Sequence, residues 1–492
     1  MEILFTLFIL LLCLLLYFYN KYVYIFDKNL KDYPAPPQVP ILGHTLDFVS
    51  GKGFLDVLLS YTHKYGDIVR IRPGPIRQLL LTSNYKLFEA VLSNAKITKK
   101  SADYKFFHRW LGTGLLTSDG AKWKKHRQII TPTFHFQILE NFVDVFEKNG
   151  KILTKQLEKH LNEDSVNVYG FVNLCALDII CEAAMGTSVK AQENMNSEYV
   201  RSVKDLLDTL MGRIFSPYKM IDFIYFFTED YKKEMKALQV IHSYTRNVIK
   251  SRQAAINSGE FEQKTKKNFL DLLLAANEQQ MTLEEIREEV DTFMFAGHDT
   301  TASTISFALF CLANHPDEQA RVYREQKDIF GDDFKRAVTF QDLKKMKYLE
   351  YVIKETLRLY PVGPFFSREL DKDVPFAGKV LPKGLTITLF IYAMHRNPEY
   401  FPDPEKFNPS RFETFDGKMP FAFVPFGAGP RNCLGQKFAM LEMLSVVSRV
   451  VRTYKILPSI PRHEINVAAQ VVLISTNGMR MRFEKRSEFS RK

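Results

Sequence analysis

Cysteine is scarce in this chain of 492 residues: the five present (Cys13, Cys175, Cys181, Cys311 and Cys433) are odd in number and widely scattered. That excludes a disulfide framework and points to a fold kept in a reducing compartment. A second long apolar run is missing, which excludes a multi-span membrane protein. No internal repeat, low-complexity tract or flexible linker divides the sequence after Pro40, and no Gly-x-Gly-x-x-Gly follows a strand pattern, which excludes a dinucleotide-binding half. What is present is a globular composition, 46% apolar and 25% charged, which excludes disorder and collagen. At ~150 residues per domain the length allows three domains, and one large enzyme fold fits equally well. A net charge of +11 suits an acidic partner protein or an anionic lipid surface; nucleic acid is not expected as a partner.

The one apolar run, Ile3 to Tyr19, would reach about 26 Å as a helix, close to the hydrocarbon thickness of a bilayer. Its rival reading, a cleaved signal peptide, is disfavoured because Glu2 rather than a basic segment opens the run, and Tyr17, Phe18 and Tyr19 rather than small residues end it. Residues 1–22 therefore read as a single-pass anchor. Lys21, Lys28 and Lys31 follow it and set the remainder on the cytoplasmic side. Residues 23–40 read as a linker whose proline-rich hinge, Tyr33 to Pro40, favours extended backbone and a stiff spacer. Residues 41–492 read as one catalytic unit.

Within that unit Ile68 to Leu81 reads as a hairpin around Pro73-Gly74, and Thr386 to Tyr392 and Val471 to Ile474 as short strands. Most of the rest is helical. Thr282 with Glu285 three residues on is a capping-box start for a helix that runs without proline to His315, on the order of 50 Å at 1.5 Å per residue. Its middle, Ala296-Gly297-His298-Asp299-Thr300-Thr301, is poor in helix propensity, and glycine there lets something approach the backbone closely.

Phe426-Gly427-Ala428-Gly429-Pro430-Arg431-Asn432-Cys433-Leu434-Gly435 is the most informative stretch. Its glycines permit tight turns and close approach of a flat ligand, Arg431 sets a cation two residues before the thiol, and the helix reading from Gln436 to Val450 puts Cys433 near a helix N-terminus that favours thiolate. A metal-binding thiolate is the reading that follows. Cys175, Cys181 and Cys311 read as buried structural thiols.

This stretch resembles, at every defining position, the haem-binding signature of the cytochrome P-450 monooxygenases. The resemblance implies a mainly α fold with small β-sheets, a long central helix over the haem, and haem b held by Cys433 as its axial thiolate, a ligand that favours O–O cleavage. Glu355 and Arg358, three apart on one helix face before Pro361, resemble the family's ExxR pair, and Arg411 its downstream arginine, so the three are expected to form a structural network. Trp123 and Arg127 on one helix face, Arg368, and Arg431 resemble the contacts to the haem propionates, with Phe426 and Gly435 beside the cysteine. Ala296 and Gly297 are expected to open the dioxygen groove, with Asp299 and Thr300 as the acid–alcohol pair: the hydroxyl orients and the carboxylate relays the protons that dioxygen cleavage consumes. His298 reads as a chance polar position, since no second histidine stands at metal-ligand spacing.

Electrons are expected from NADPH through a separate reductase, with cytochrome b5 as a further candidate partner. Lys122, Lys124 and Lys125 resemble the docking face for an acidic flavin domain, while Arg127 faces inward. The sequences around Cys433, Trp123 and the long helix look like family four, whose members often hydroxylate fatty acids, and imply an enzyme anchored to the endoplasmic reticulum membrane. Ala296 stands where many of that family carry a glutamate that esterifies the haem, so no such ester can form. The long insertion of the insect hydrocarbon-forming subfamily is not evident, which argues against oxidative decarbonylation. By analogy, contacts to a lipophilic substrate (fatty-acid-like, hormone-like or xenobiotic) come from Tyr104 to Thr117, Phe293, Ala296, Val362 to Phe366, and Ser475-Thr476. The aromatic segment Ile214 to Phe227 is open between a membrane contact and core packing. Two other functions share these features: a haem-thiolate isomerase or dehydratase, against which Asp299-Thr300 argues, and a haem or lipid binder without turnover.

Overall fold

The long helix starts where its capping residues require. Thr282 Oγ1 accepts from the Glu285 N–H at 3.2 Å, and Glu285 Oε2 accepts from the Thr282 N–H at 2.9 Å. The helix then runs Leu283–Asn314, 32 residues and about 48 Å, and ends at His315, where Pro316 opens the next helix. Most side chains from Val290 to Ala313 are buried, so it is an axis of the core rather than an amphipathic cover. The computed structural model describes residues 2–39, 42–49, 53–74, 77–134, 139–194, 197–214, 216, 218–258, 268–276, 280–415 and 417–486, and within the first helix the side chains of residues 3, 5–17 and 30. Lys21 and Lys28 as side chains, Pro40 of the hinge, and Phe215 and Pro217 of the aromatic segment lie outside the described residues.

The architecture is mainly helical with small sheets. The expected hairpin is present: β1 (Ile68–Ile71) pairs antiparallel with β2 (Leu79–Thr82), Ile68 opposite Thr82. With β3 (Phe366–Glu369) and β4 (Thr386–Leu389) they make one sheet in the order β1-β2-β4-β3, in which only β2 and β4 run parallel. The strand expected to reach Tyr392 stops at Leu389, because Ile391–Met394 turns helical. The strand expected from Val471 begins instead at Leu473 and pairs with Val467–Ala469. An isolated bridge sets Lys100 beside Arg368 of β3, which matters for the site.

The amino-terminal run is helical from Glu2 to Leu30, and its described apolar side chains from Ile3 to Tyr17 are exposed. Among the described residues no helix is long and apolar enough to cross a membrane. The proline-rich segment is not a free spacer. Leu30 and Tyr33 are buried in the smaller core cluster, with Leu80, Phe88 and Ile387 among its members. Pro34 O accepts from the Arg70 N–H at 2.8 Å, and Pro36 O lies 3.0 Å from His44 Nε2. Packing therefore begins about ten residues before the boundary expected at 41, because apolar side chains at 30 and 33 find a sheet to cover.

Candidate active site

Glycine shapes the cysteine loop in two ways. Gly427 and Gly429 have φ of +65° and +69°, and a Cβ on Gly429 would collide with the Leu92 carbonyl, so the turn requires glycine there. The loop returns so that Phe426 O accepts the Cys433 N–H at 2.8 Å, and the helix Gln436–Thr453 follows at once. Gly435 has ordinary backbone angles, but a Cβ there would meet only open space in the cavity it lines. Cys433 opens into that cavity, of about 360 Å³, and is otherwise surrounded by protein. Burial pushes its thiol up, against the Gly435 N–H and Arg127, which favour thiolate. The expected helix-end preference for thiolate is thus outweighed by desolvation, a balance that a bound metal cation reverses.

Trp123, Arg127, Ala296, Gly297, Arg368, Phe426, Arg431, Cys433 and Gly435 all line this one cavity. Its charges are unbalanced. Arg431 is largely committed to protein: Nε donates to Thr98 O (3.1 Å), Nη1 to Leu115 O (3.3 Å), and Nη2 to Ser118 O and Asp119 Oδ1 (both 2.6 Å), with Trp123 stacked 4.1 Å away. Burial still pushes its pKa down to about 10. Arg127 gives its fork to the cysteine loop, Nη1 to Asn432 O at 3.0 Å and Nη2 to Asn432 Oδ1 at 2.7 Å. Arg368 is 4% exposed and donates only to its neighbour's carbonyl, Ser367 O, among the described residues. Lys100, which sequence reasoning missed, lies beside it with Nζ over the Tyr104 ring at 4.3 Å, and burial together with Arg368 and Arg431 holds its pKa well down. Among the described residues four basic side chains therefore stand near one carboxylate, Asp119. Buried charge of one sign calls for a counter-charge, and two uncommitted neighbouring donors in the cavity that the thiol opens into fit a haem with two propionates. The signal for Lys100 was the Lys99-Lys100 pair, half of which is a surface residue bonded to Glu369 at 2.6 Å.

On the opposite wall the long helix presents Ala296, Gly297, Thr300, Thr301 and Thr304. Thr300 Oγ1 donates to Ala296 O at 2.7 Å, which leaves its lone pairs toward the cavity. Asp299 is not brought to the cavity. One residue along a helix is a rotation of about 100°, and its carboxylate accepts from Tyr169 Oη at 3.0 Å and lies 3.5 Å from Asn173 Nδ2 on the neighbouring helix Tyr169–Ala183. Burial pushes its pKa up, against His298 and Tyr169. The close approach expected at Gly297 is made by Ile180, whose Cδ1 would lie 2.5 Å from a Cβ, so the glycine permits helix–helix approach while it also lines the cavity. His298 Nδ1 lies 2.6 Å from Met294 O, a bond within its own helix.

Away from the cavity, Glu355, Arg358 and Arg411 meet. Arg358 Nε and Nη2 donate to the Glu355 carboxylate at 2.8 and 2.9 Å, Arg411 Nε donates to it at 3.0 Å, and the Asn408 N–H adds a fourth bond at 2.8 Å. Arg358 Nη1 reaches on to His395 O (2.9 Å) and Pro404 O (2.7 Å), so one buried cluster ties the helix Lys347–Leu359 to the segment 395–411.

A second cavity, of about 370 Å³, adjoins the first: Tyr104, Leu116, Ala296, Thr300, Val362 and Phe366 line both. Aromatic and aliphatic side chains dominate it. The carboxyl-terminal contribution comes from Gln470, Val471 and Val472 rather than Ser475-Thr476, because the connection between two paired strands, not the second strand's end, points inward. Of the basic helix Gly120–Ile130, Lys122 is held by Glu285 (3.3 Å) and Glu288 (3.4 Å) and Lys125 donates to Gln280 O, which leaves Lys124 as the exposed lysine without a partner among the described residues.

A family model described as Cytochrome P450 matches residues 34–480. Among curated proteins, the chain is 41% identical over 466 residues to Cytochrome P450 4V2 of Homo sapiens, covering 91% of this chain and 88% of the relative. It is 38% identical over 492 residues to Cytochrome P450 4c3 of Drosophila melanogaster, covering 95% and 92%. It is 40% identical over 444 residues to Cytochrome P450 4c21 of Blattella germanica, covering 87% and 88%.

Proposed function

The chain belongs to the cytochrome P450 family, in its family four, and from that premise we propose that this haem-thiolate monooxygenase works at a membrane surface on a chain-like lipophilic substrate. The observation that carries the reading is the join between the two cavities: the first holds the thiol and four basic side chains, the second is walled mostly by aromatic and aliphatic ones, and Ala296 and Thr300 line both. Haem bound through the cysteine thiolate supplies dioxygen activation and insertion of one oxygen atom into a C–H bond, with electrons from a redox partner. The chain's own residues do the rest. Cys433 ligates, Lys100 and Arg368 take the propionates, and Arg431 and Arg127 brace the loop that holds the thiol. Thr300 accepts a hydrogen bond from water in the cavity and orients it for proton delivery. Asp299 acts from behind, as a buried carboxyl held by Tyr169, without touching the cavity. The Glu355–Arg358–Arg411 cluster keeps the loop in place.

Access from lipid is supported by two surfaces. In the helix Glu2–Leu30 the described side chains from Ile3 to Tyr17 are exposed and mostly apolar, which supports a role as the membrane anchor. In the aromatic segment Tyr218, Ile221, Phe223, Phe226 and Phe227 are exposed rather than packed, and the helix Glu198–Ile214 that leads into it lends Met211 and Ile214 to the second cavity. We place the enzyme on the cytoplasmic face of the endoplasmic reticulum, with an NADPH-dependent reductase as its electron donor and cytochrome b5 as an auxiliary one. The test is the carbon monoxide difference spectrum of the reduced protein beside Cys433→Ser, followed by turnover of medium-chain fatty acids with reductase and NADPH in vesicles. A red-shifted Soret band lost in the variant, with hydroxylated product, is the expected result. A folded, haem-loaded wild type with a histidine-type spectrum, or spectral binding without product, overturns the reading.

A further inference from the structure

The second cavity carries a feature that its apolar walls do not require. Among the described residues that line it, only Arg77 and Asp103 are charged, and they pair with each other through Arg77 Nη2 and Asp103 Oδ2. We propose that this ion pair is a head-group selector, in which Asp103 holds Arg77 until the carboxylate of an amphiphilic substrate takes its place. The inference rests on the chain-like substrate proposed above and names the end by which it is recognised.

Placement supports it. The side chains of Arg77 and Asp103 are 30% and 25% exposed, neither sealed in the core nor free in solvent, which sets them where the cavity meets water. Ala296 and Thr300 lie at its other limit, shared with the thiol cavity. A chain lying between them passes Phe107, Phe295, Phe365 and Val472, with its tail at Thr300 and its head at Arg77. The Ser101 hydroxyl, in a residue 4% exposed and lining the same cavity, has no partner among the described residues and can donate to a head-group oxygen. An unpartnered buried hydroxyl is costly unless something fills it.

The chemistry then follows from competition. A guanidinium fork prefers a planar carboxylate to any neutral head group. The entering carboxylate adds a negative charge and turns the partly exposed Asp103 toward water, so burial of the tail must supply the free energy of the exchange. A neutral head gains nothing from Arg77 while Asp103 occupies it. Removing Asp103 should therefore favour acids selectively, and removing Arg77 should disfavour them selectively.

The experiment titrates the full-length, haem-loaded protein with dodecanoic acid, its methyl ester and 1-dodecanol, reading the Soret shift at equilibrium for wild type, Arg77→Gln, Asp103→Asn and the double variant. Arg77→Gln should weaken the acid about tenfold and Asp103→Asn should tighten it by a similar factor, with ester and alcohol unchanged in both. The double variant should match Arg77→Gln, since Asp103 acts only through Arg77. Acid, ester and alcohol shifting together, or an acid affinity indifferent to Asp103→Asn, overturns the selector while leaving the chain-like substrate intact. Uptake of none of the three by a protein with a thiolate-type spectrum overturns the substrate reading and the selector together.

Discussion

Replacing Gly297 with alanine sets two effects against each other. Helix propensity favours alanine over glycine by about 1 kcal/mol. Against that, the new Cβ would lie 2.5 Å from Ile180 Cδ1, 2.6 Å from its Cγ1 and 3.3 Å from its Cβ. Ile180 is only 2% exposed and its own Cβ is fixed to the backbone of the neighbouring helix, so rotation of the side chain relieves only part of the overlap. Forcing a methyl into packed core costs about 1–3 kcal/mol, and with all three of these atoms inside ordinary contact the upper half of that range applies. The expected net loss is about 1–2 kcal/mol. Ile180→Ala alone should cost about 2–5 kcal/mol through the cavity it leaves. In the double variant the alanine methyl at 297 occupies part of that cavity, so the loss should fall short of the sum of the single losses by about 1–3 kcal/mol. Urea titrations of the four proteins, followed by far-ultraviolet circular dichroism and by the Soret band, measure all of these terms. A Gly297→Ala protein as stable as wild type, or losses that add within about 0.5 kcal/mol, would refute the account of this glycine as a helix–helix contact.

Glu355→Ala leaves Arg358 and Arg411 without their shared buried carboxylate, so we expect a loss of about 3–5 kcal/mol and haem released during purification; a variant that keeps its haem at wild-type urea midpoints would refute the network's role. Glu285 is held down to about 2 by the Thr282 N–H and by Lys122, so its contribution is complete above an ordinary glutamate pKa near 4.5 and is lost as pH falls toward 2. Acid titration should accordingly separate wild type from Glu285→Gln in full above pH ~4.5, and the two curves should draw together as pH falls toward about 2; parallel curves throughout would count against the capping box. Lys124→Glu should slow reduction by the redox partner in a salt-dependent way, and the same change at Lys125 should do so less; equal effects measured by stopped flow would refute the distinction drawn from their partners.

Where the chain's chemistry is written in consecutive residues, the sequence was enough. The cysteine loop, the capping box at Thr282 and the hairpin at Ile68 are local patterns whose geometry follows from glycine φ angles, a side chain three residues away, or a turn between two short strands. The Glu355–Arg358 pair was legible for the same reason, since three residues on a helix share a face. Lys100 was not legible, because what makes it a site residue is a bridge to Arg368, 268 positions away, and burial that no neighbour in sequence predicts. The placement of Asp299 was not legible, because a motif fixes residue types and not the direction of each side chain. The helix turns the carboxylate toward Tyr169 while it turns Thr300 into the cavity.

By itself the sequence determined the family, the thiol and the run of the helix that faces it, because each rests on short-range stereochemistry. Only the tertiary structure decided which cations remain uncommitted, that Gly297 accommodates Ile180, and that Arg77 and Asp103 meet in an apolar cavity. Those outcomes depend on which distant segments share a low-dielectric interior, where an unbalanced charge or a single methyl group has its largest effect.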